Sequence, residues 1–212
     1  MGLIAKTSKS TGYTPVPAGV YVARCYMVLD LGTQSTVGKY GAKNEHKLRI
    51  GWEILDCDET GTPLTIQIDG ESKPMTIGKN YTVSLHEKAV LRKDLSSWRG
   101  VAFTDEEANG FDVSRLINAY CMLNITTSES DGATYSNITS ISPLPGALKN
   151  KKPAAVHKNV VFNLDEPDMS VFESLSDYFK EKIMLSPEWH ALKGSPFAKQ
   201  ATTDDLDCDI AF

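Results

Sequence analysis

From Tyr21 to Leu31 every second residue is apolar: Tyr21, Ala23, Cys25, Met27, Leu29 and Leu31 alternate with positions that include Arg24, Tyr26 and Asp30. A period of two belongs to a pleated strand with one face on a core, so residues 18–31 read as a strand whose other face is wet. The pattern stops at Gly32. Residues 32–44, with Gly38, Lys39, Tyr40, Gly41 and Lys43, are too polar and glycine-rich to pack and read as a flexible loop. Alternation resumes with Leu48, Ile50, Trp52 and Ile54 on one face and Lys47, Arg49, Gly51 and Glu53 on the other, a second strand that Asp58, Glu59, Thr60 and Gly61 turn around. Further short strands are expected over residues 64–68 and 79–85, with Gly70 and Pro74 between them.

The period then changes. Over residues 87–98, Ala89, Val90, Leu91, Leu95 and Trp98 fit one face of a short helix, with Lys88, Arg92 and Lys93 off that face. An acidic turn at residues 104–107 and a helical turn at residues 113–116 lead to a strand through Cys121, Leu123 and Ile125. Residues 134–141 are its hairpin partner, joined by a turn holding Asp131 and Gly132. About five short strands with one inserted helix predict a mainly β body, an OB-fold-like Greek-key barrel rather than a sandwich or a βαβ sheet. Pro143, Pro145, Gly146 and Pro153 mark a linker, and Phe172, Leu175, Phe179 and Ile183 predict one amphipathic helix over residues 171–185 that docks on the barrel. The resulting organisation is a loose arm at residues 1–16, the barrel at 17–148, a basic linker with helical extension at 149–200, and an acidic tail without apolar periodicity at 201–212, expected to be disordered when free.

At 212 residues and 41% hydrophobic, the chain can bury one good core but not two independent domains. Its net charge of −5 argues against nucleic acid until the distribution is considered. Four of those charges sit on Asp204, Asp205, Asp207 and Asp209, leaving −1 for the rest. Cations gather at Lys39, Lys43, Lys47 and Arg49, at Lys88, Arg92, Lys93 and Arg99, and at Lys149, Lys151, Lys152 and Lys158. The start of the sequence lacks the apolar run of a signal peptide or membrane span, so a cytoplasmic protein is expected and the sequons at Asn80, Asn124 and Asn137 are without consequence. Cys25, Cys57, Cys121 and Cys208 show no metal-ligand spacing and read as free thiols; no metal or cofactor is expected. Enzyme motifs fail on inspection. His86 and Glu87 begin an H-E-x-x-H but Val90 ends it, and Gly78, Lys79, Asn80 lacks the flanking residues of a phosphate loop.

The final residues, Asp204, Asp205, Leu206, Asp207, Cys208, Asp209, Ile210, Ala211 and Phe212, resemble the tip of bacterial single-stranded DNA-binding proteins, an acidic run closing on Ile-Pro-Phe; Ala211 stands where that tip has Pro. The acids would keep such a segment solvated and steer it to basic partners, while Ile210 and Phe212 supply an apolar anchor. The body resembles a phage-encoded family of single-stranded DNA-binding proteins through Pro17, Ala18, Gly19, Val20, Tyr21 and through Trp98, Arg99, Gly100 followed by Phe103, Thr104, a likeness spanning most of residues 17–143. The resemblance implies a non-catalytic protein, in the cytoplasm of a bacterial host, that coats single strands in replication and recombination and recruits other proteins through its tip.

Sequence-tolerant single-strand binding needs aromatics to stack on bases beside cations that follow phosphates. The wet strand faces and adjoining segments nominate Arg24, Tyr26, Lys39, Tyr40, Lys43, Lys47, Arg49, Lys88, Arg92, Arg99 and Tyr120 for DNA, with Asp204, Asp205, Asp207, Asp209, Ile210 and Phe212 for partner proteins. Homo-oligomers could form through the barrel or near Phe172. The competing reading is a protein-interaction adaptor that uses barrel and tail without touching nucleic acid.

Overall fold

A long antiparallel hairpin is the spine of the fold. In the computed structural model, which describes residues 14–38, 41–68 and 70–193, β1 (Gly19–Gly38) and β2 (Gly41–Ile54) pair from Ala23 opposite Ile54 out to Gly38 opposite Gly41. Residues 32–38 and 41–44 of the expected loop are therefore ladder. Past the core a ribbon needs no apolar face, because its two strands satisfy each other's backbone and Thr33, Thr36 and Val37 favour extended chain. Val37 is 86% exposed there. Lys39 and Tyr40 lie outside the described residues.

The remaining strands are β3 (Thr65–Ile68), β4 (Glu71–Pro74), β5 (Thr76–Thr82), β6 (Tyr120–Ser130), β7 (Ala133–Ser142) and β8 (Val160–Phe162). The main sheet runs β5-β2-β1-β6-β7, with β8 parallel to β1 where β6 has left it, and β3 and β4 make a separate hairpin. The chain is thus mainly β around an open six-stranded sheet. The expected β6 to β7 turn is present: Asp131 and Gly132 take φ of 51° and 75° between paired Ser130 and Ala133, the two-residue turn that suits twisted strands.

A bulge reorganises β1. Cys25 stands opposite Trp52 and Met27 opposite Gly51, so Tyr26 is an extra residue and the side-chain alternation inverts there. Tyr21, Ala23 and Cys25 join the first core with Leu48, Ile50, Trp52 and Ile54; Met27, Leu29 and Leu31 face the opposite way. The odd-numbered apolar residues of β1, read from the sequence as one face, are divided between two cores. The expectation of a wet face is corrected as well: Arg24 on that face is buried by contacts with His157 and Asn159.

The helix α1 (Val90–Arg99) seals the first core, burying Leu91, Leu95 and Trp98, with the Trp98 ring 5.7 Å from that of Trp52. It touches both β5 and β7, the two edges of the sheet. Asp94 accepts from Tyr81 Oη at 2.8 Å and Lys79 Nζ at 2.7 Å, tying α1 to β5, and the Ser97 hydroxyl donates to the Ile141 carbonyl of β7. Cys25 and Cys121 lie within this core. Burial pushes the Cys25 thiol up to about 12 and also raises Cys121. In native protein near pH 8 a disulfide reagent is expected to label exposed Cys57 and to leave Cys25 and Cys121 unmodified until denaturant is added. Peptide mapping that found either buried cysteine labelled in the native state would contradict this packing.

The second core covers the other face of β1 and is built by the C-terminal extension. It unites Met27, Leu29 and Leu31 with Phe162, Leu164, Phe172, Leu175, Ile183 and Trp189. Where one helix was expected over residues 171–185, the chain forms α4 (Met169–Ser174) and α5 (Asp177–Met184). Leu175 and Ser176 are extended between them, so the chain bends and Phe172, Leu175 and Ile183 all reach one cluster. Neither β8 nor α6 (Pro187–Lys193) was anticipated, although Ser186 before Pro187 is a helix-start signal and its hydroxyl accepts from Trp189 N. The extension docks on the sheet as expected. Among the described residues no helix is long and apolar enough to cross a membrane.

Candidate nucleic-acid interface

The face expected to present Arg24, Tyr26, Lys47 and Arg49 is one surface in register, and the extension covers much of it. Arg24 is 1% exposed and ion-paired with Glu53, which is fully buried. Its remaining donors go to Asn118 Oδ1, Asn159 Oδ1 and the His157 carbonyl, while Glu53 accepts from the amides of Val156 and His157. Arg24 is therefore a clamp on residues 156–159 and is corrected as a DNA contact: it is buried, and four of its five N–H donors are bonded inside the protein. Tyr26 is half-buried with its ring 5.0 Å from that of His157. The Arg49 guanidinium lies 5.3 Å from the Phe179 ring centre and donates to Asn80 Oδ1 at 3.0 Å.

Lys47 and Lys88 fall in a cleft of about 650 Å³ between β5 and the start of α1. Its charges are mixed. Lys47 donates to Glu45 at 2.7 Å and to Thr82 at 2.8 Å, a contact that holds the Glu45 carboxyl below its ordinary range, and Lys79 is bound to Asp94. Lys43 is exposed on the projecting ribbon. Arg92 reaches the carbonyls of Leu85 and Phe103, both at 3.1 Å, and pins the loop after α1. The tail residues 204–212, with Asp204, Asp205, Asp207, Asp209, Ile210 and Phe212, lie outside the described residues.

A different concavity joins Arg99 and Tyr120. It has a volume of about 460 Å³ and lies among the end of α1, residues 103–120 and the segment after β7. Leu95, Leu116, Pro143 and Leu144 supply apolar wall; Trp98, Phe103, Phe111 and Tyr120 supply rings; Arg99, Arg115, Lys149 and Lys152 supply charge. Among the described residues, no aspartate or glutamate lines it.

Local rules place each of these groups. Gly100 takes φ of 73° at the end of α1, a left-handed cap that releases the chain just after Arg99. Thr104 then opens α2 (Asp105–Ala108) with a capping box, its hydroxyl accepting from Glu107 N and the Glu107 carboxylate returning to Thr104 N. The box aims Glu107 at Arg99, 2.8 Å away, and this contact holds the Glu107 carboxyl low. The Arg99 guanidinium in turn lies 4.5 Å from the Phe103 ring centre, and Phe111 meets Phe103 edge-on at 5.2 Å. Tyr120, opposite Arg24 in the β1–β6 ladder, donates its hydroxyl to the Pro153 carbonyl at 2.7 Å, and Lys152 Nζ sits 5.3 Å from the Tyr120 ring centre. The backbone from Leu144 to Lys152, which includes the short helix α3 (Gly146–Lys149), thereby becomes a wall of the cleft.

Sequence reasoning missed Phe103, Phe111 and Arg115 as site residues and read Lys149 and Lys152 as linker. The signal was weak because the rings and cations are far apart in sequence and no single strand or helix face carries them. No protein-family model matches the chain, and no curated protein matches it, so the functional reading rests on the residues themselves.

Proposed function

We propose that this chain is a sequence-tolerant single-stranded DNA-binding protein that coats and protects single strands in replication and recombination, with residues 204–212 recruiting partner proteins. The observation that carries the reading is the cleft's lining: among the described residues, four cations and four aromatic rings line it and no acid does, in a chain of net charge −5. Stacking is worth roughly 1–3 kcal/mol per base and tolerates any base, while neighbouring cations neutralise phosphates. The strand order supports an OB-type ancestry for the body. That fold is a five-stranded, partly open Greek-key barrel. Here β5 and β7 approach within 8 Å between Cα atoms, and α1 lies between β5 and β6 in sequence.

Fluorescence anisotropy with labelled oligo-dT across a salt series tests the proposal. Full-length protein is expected to bind, with log K falling against log salt at about −0.7 per phosphate neutralised, and to prefer oligo-dT to duplex. Deleting residues 204–212 is expected to raise affinity at low salt, by removing four negative charges that compete for the cations, and to abolish capture of partner proteins. Absence of oligo-dT binding, or equal binding to duplex, would leave the adaptor as the better reading.

A further inference from the structure

We infer that the cleft between α1 and β6 admits a single unpaired nucleotide, its base lodged against Phe111 and Tyr120 and its phosphates held by Arg115 and Lys149. This rests on the single-strand reading and specifies the site and the unit bound. A volume of about 460 Å³ lies at the small-ligand end of protein pockets, roughly 300–1,000 Å³. It accommodates one nucleotide; a paired base could enter only by leaving its stack. The cleft itself then discriminates single strand from duplex.

The rings and cations divide by availability. Trp98 and Phe103 are buried, whereas Phe111 and Tyr120 are only half-buried. Arg99 is engaged by Glu107 and Lys152 is seated over Tyr120. Arg115 and Lys149 are exposed and form no ion pair among the described residues; Asp112 feels the charge of Arg115, but its carboxylate accepts from Ser114 N. Trp98 forms part of the cleft wall, and its indole N–H donates to the Tyr120 carbonyl at 3.1 Å, which makes it a built-in reporter.

Two measurements on full-length protein test this. In anisotropy with oligo-dT, the exposed double variant Arg115→Ala/Lys149→Ala is expected to reduce the salt slope by about 1.4, two phosphates at ~0.7 each. Lys47→Ala/Lys88→Ala in the mixed-charge cleft is expected to leave the slope unchanged, and Phe111→Ala to weaken binding about 5- to 150-fold. In tryptophan fluorescence, a duplex carrying one bulged thymidine is expected to quench emission and its fully paired counterpart to leave it unchanged, with the quench lost in Trp98→Phe. If oligo-dT binds but the slope responds to Lys47 and Lys88 instead, or the bulged duplex gives no quench, the cleft assignment is overturned while single-strand binding stands. If the wild-type protein fails to bind oligo-dT, the functional proposal falls and this inference with it.

Discussion

Replacing Arg24 with alanine is expected to lower the unfolding free energy by about 3–5 kcal/mol, because it leaves the Glu53 carboxylate buried without its counter-charge. The loss extends beyond one ion pair. Arg24 also holds Asn118, the residue with φ of 66° that leads into β6, and Asn159, which leads into β8. Arg24→Lys is expected to recover little, since an ammonium cannot present donors in the planar fork that reaches four acceptors. The paired apolar replacement Arg24→Met/Glu53→Leu relieves the buried charge but orphans the amides of Val156 and His157. It should therefore melt between wild type and Arg24→Ala. Urea denaturation followed by circular dichroism measures all three. A loss below about 1 kcal/mol for Arg24→Ala would show that the pair contributes little beyond what water could replace. Hydrogen exchange over residues 156–162 is expected to quicken before the rest of the sheet, as the clamp is what fixes that segment.

The second large effect is expected at Gly32. Its φ is +65°, and an added Cβ would lie 2.4 Å from Ser186 Cβ and 2.9 Å from a Glu188 carboxylate oxygen. Gly32→Ala therefore combines left-handed strain with a clash at the start of α6, for an expected loss of about 2–4 kcal/mol. The damage should be local at first: Trp189 stacks on Phe172 with ring centres 4.4 Å apart, so its emission should shift red as α6 lifts from β1. A variant of wild-type stability with unchanged emission would mean that α6 does not pack as described. The same attachment has a pH dependence. Burial alone would raise the Glu188 carboxyl, but the hydroxyl of Thr33 at 2.6 Å and its amide at 2.9 Å outweigh that and hold it below the ordinary range. A depressed carboxyl stabilises above its unfolded-state pKa and loses that contribution as pH falls through the lower folded value, so acid should loosen α6 in wild type and Glu188→Gln should respond less.

Both predictions concern the C-terminal extension, and both bear on function. By covering Arg24 and much of the sheet face beside it, the extension withdraws the surface that looks most suited to a nucleic acid from the sequence. By carrying Lys149 and Lys152 past Tyr120, the segment ahead of it completes the cleft beside β6. The same polypeptide closes one surface and builds another.

The sequence by itself determined the local elements. Period-two stretches marked β2 and β6, a period of 3.6 marked α1, and the Asp131-Gly132 turn marked β7 as the hairpin partner of β6, since each depends on neighbours a few residues away. Arg99 and Tyr120 were legible as candidates for the same reason. Tertiary structure alone decided which face of a strand is wet. One extra residue, Tyr26, inverts the side chains beyond it, and a segment more than a hundred residues later supplies the cover for Arg24. Neither event has a local signal: apolar periodicity reports that a side chain is buried, but not which of two cores receives it, and a buried ion pair reads in sequence like any exposed arginine.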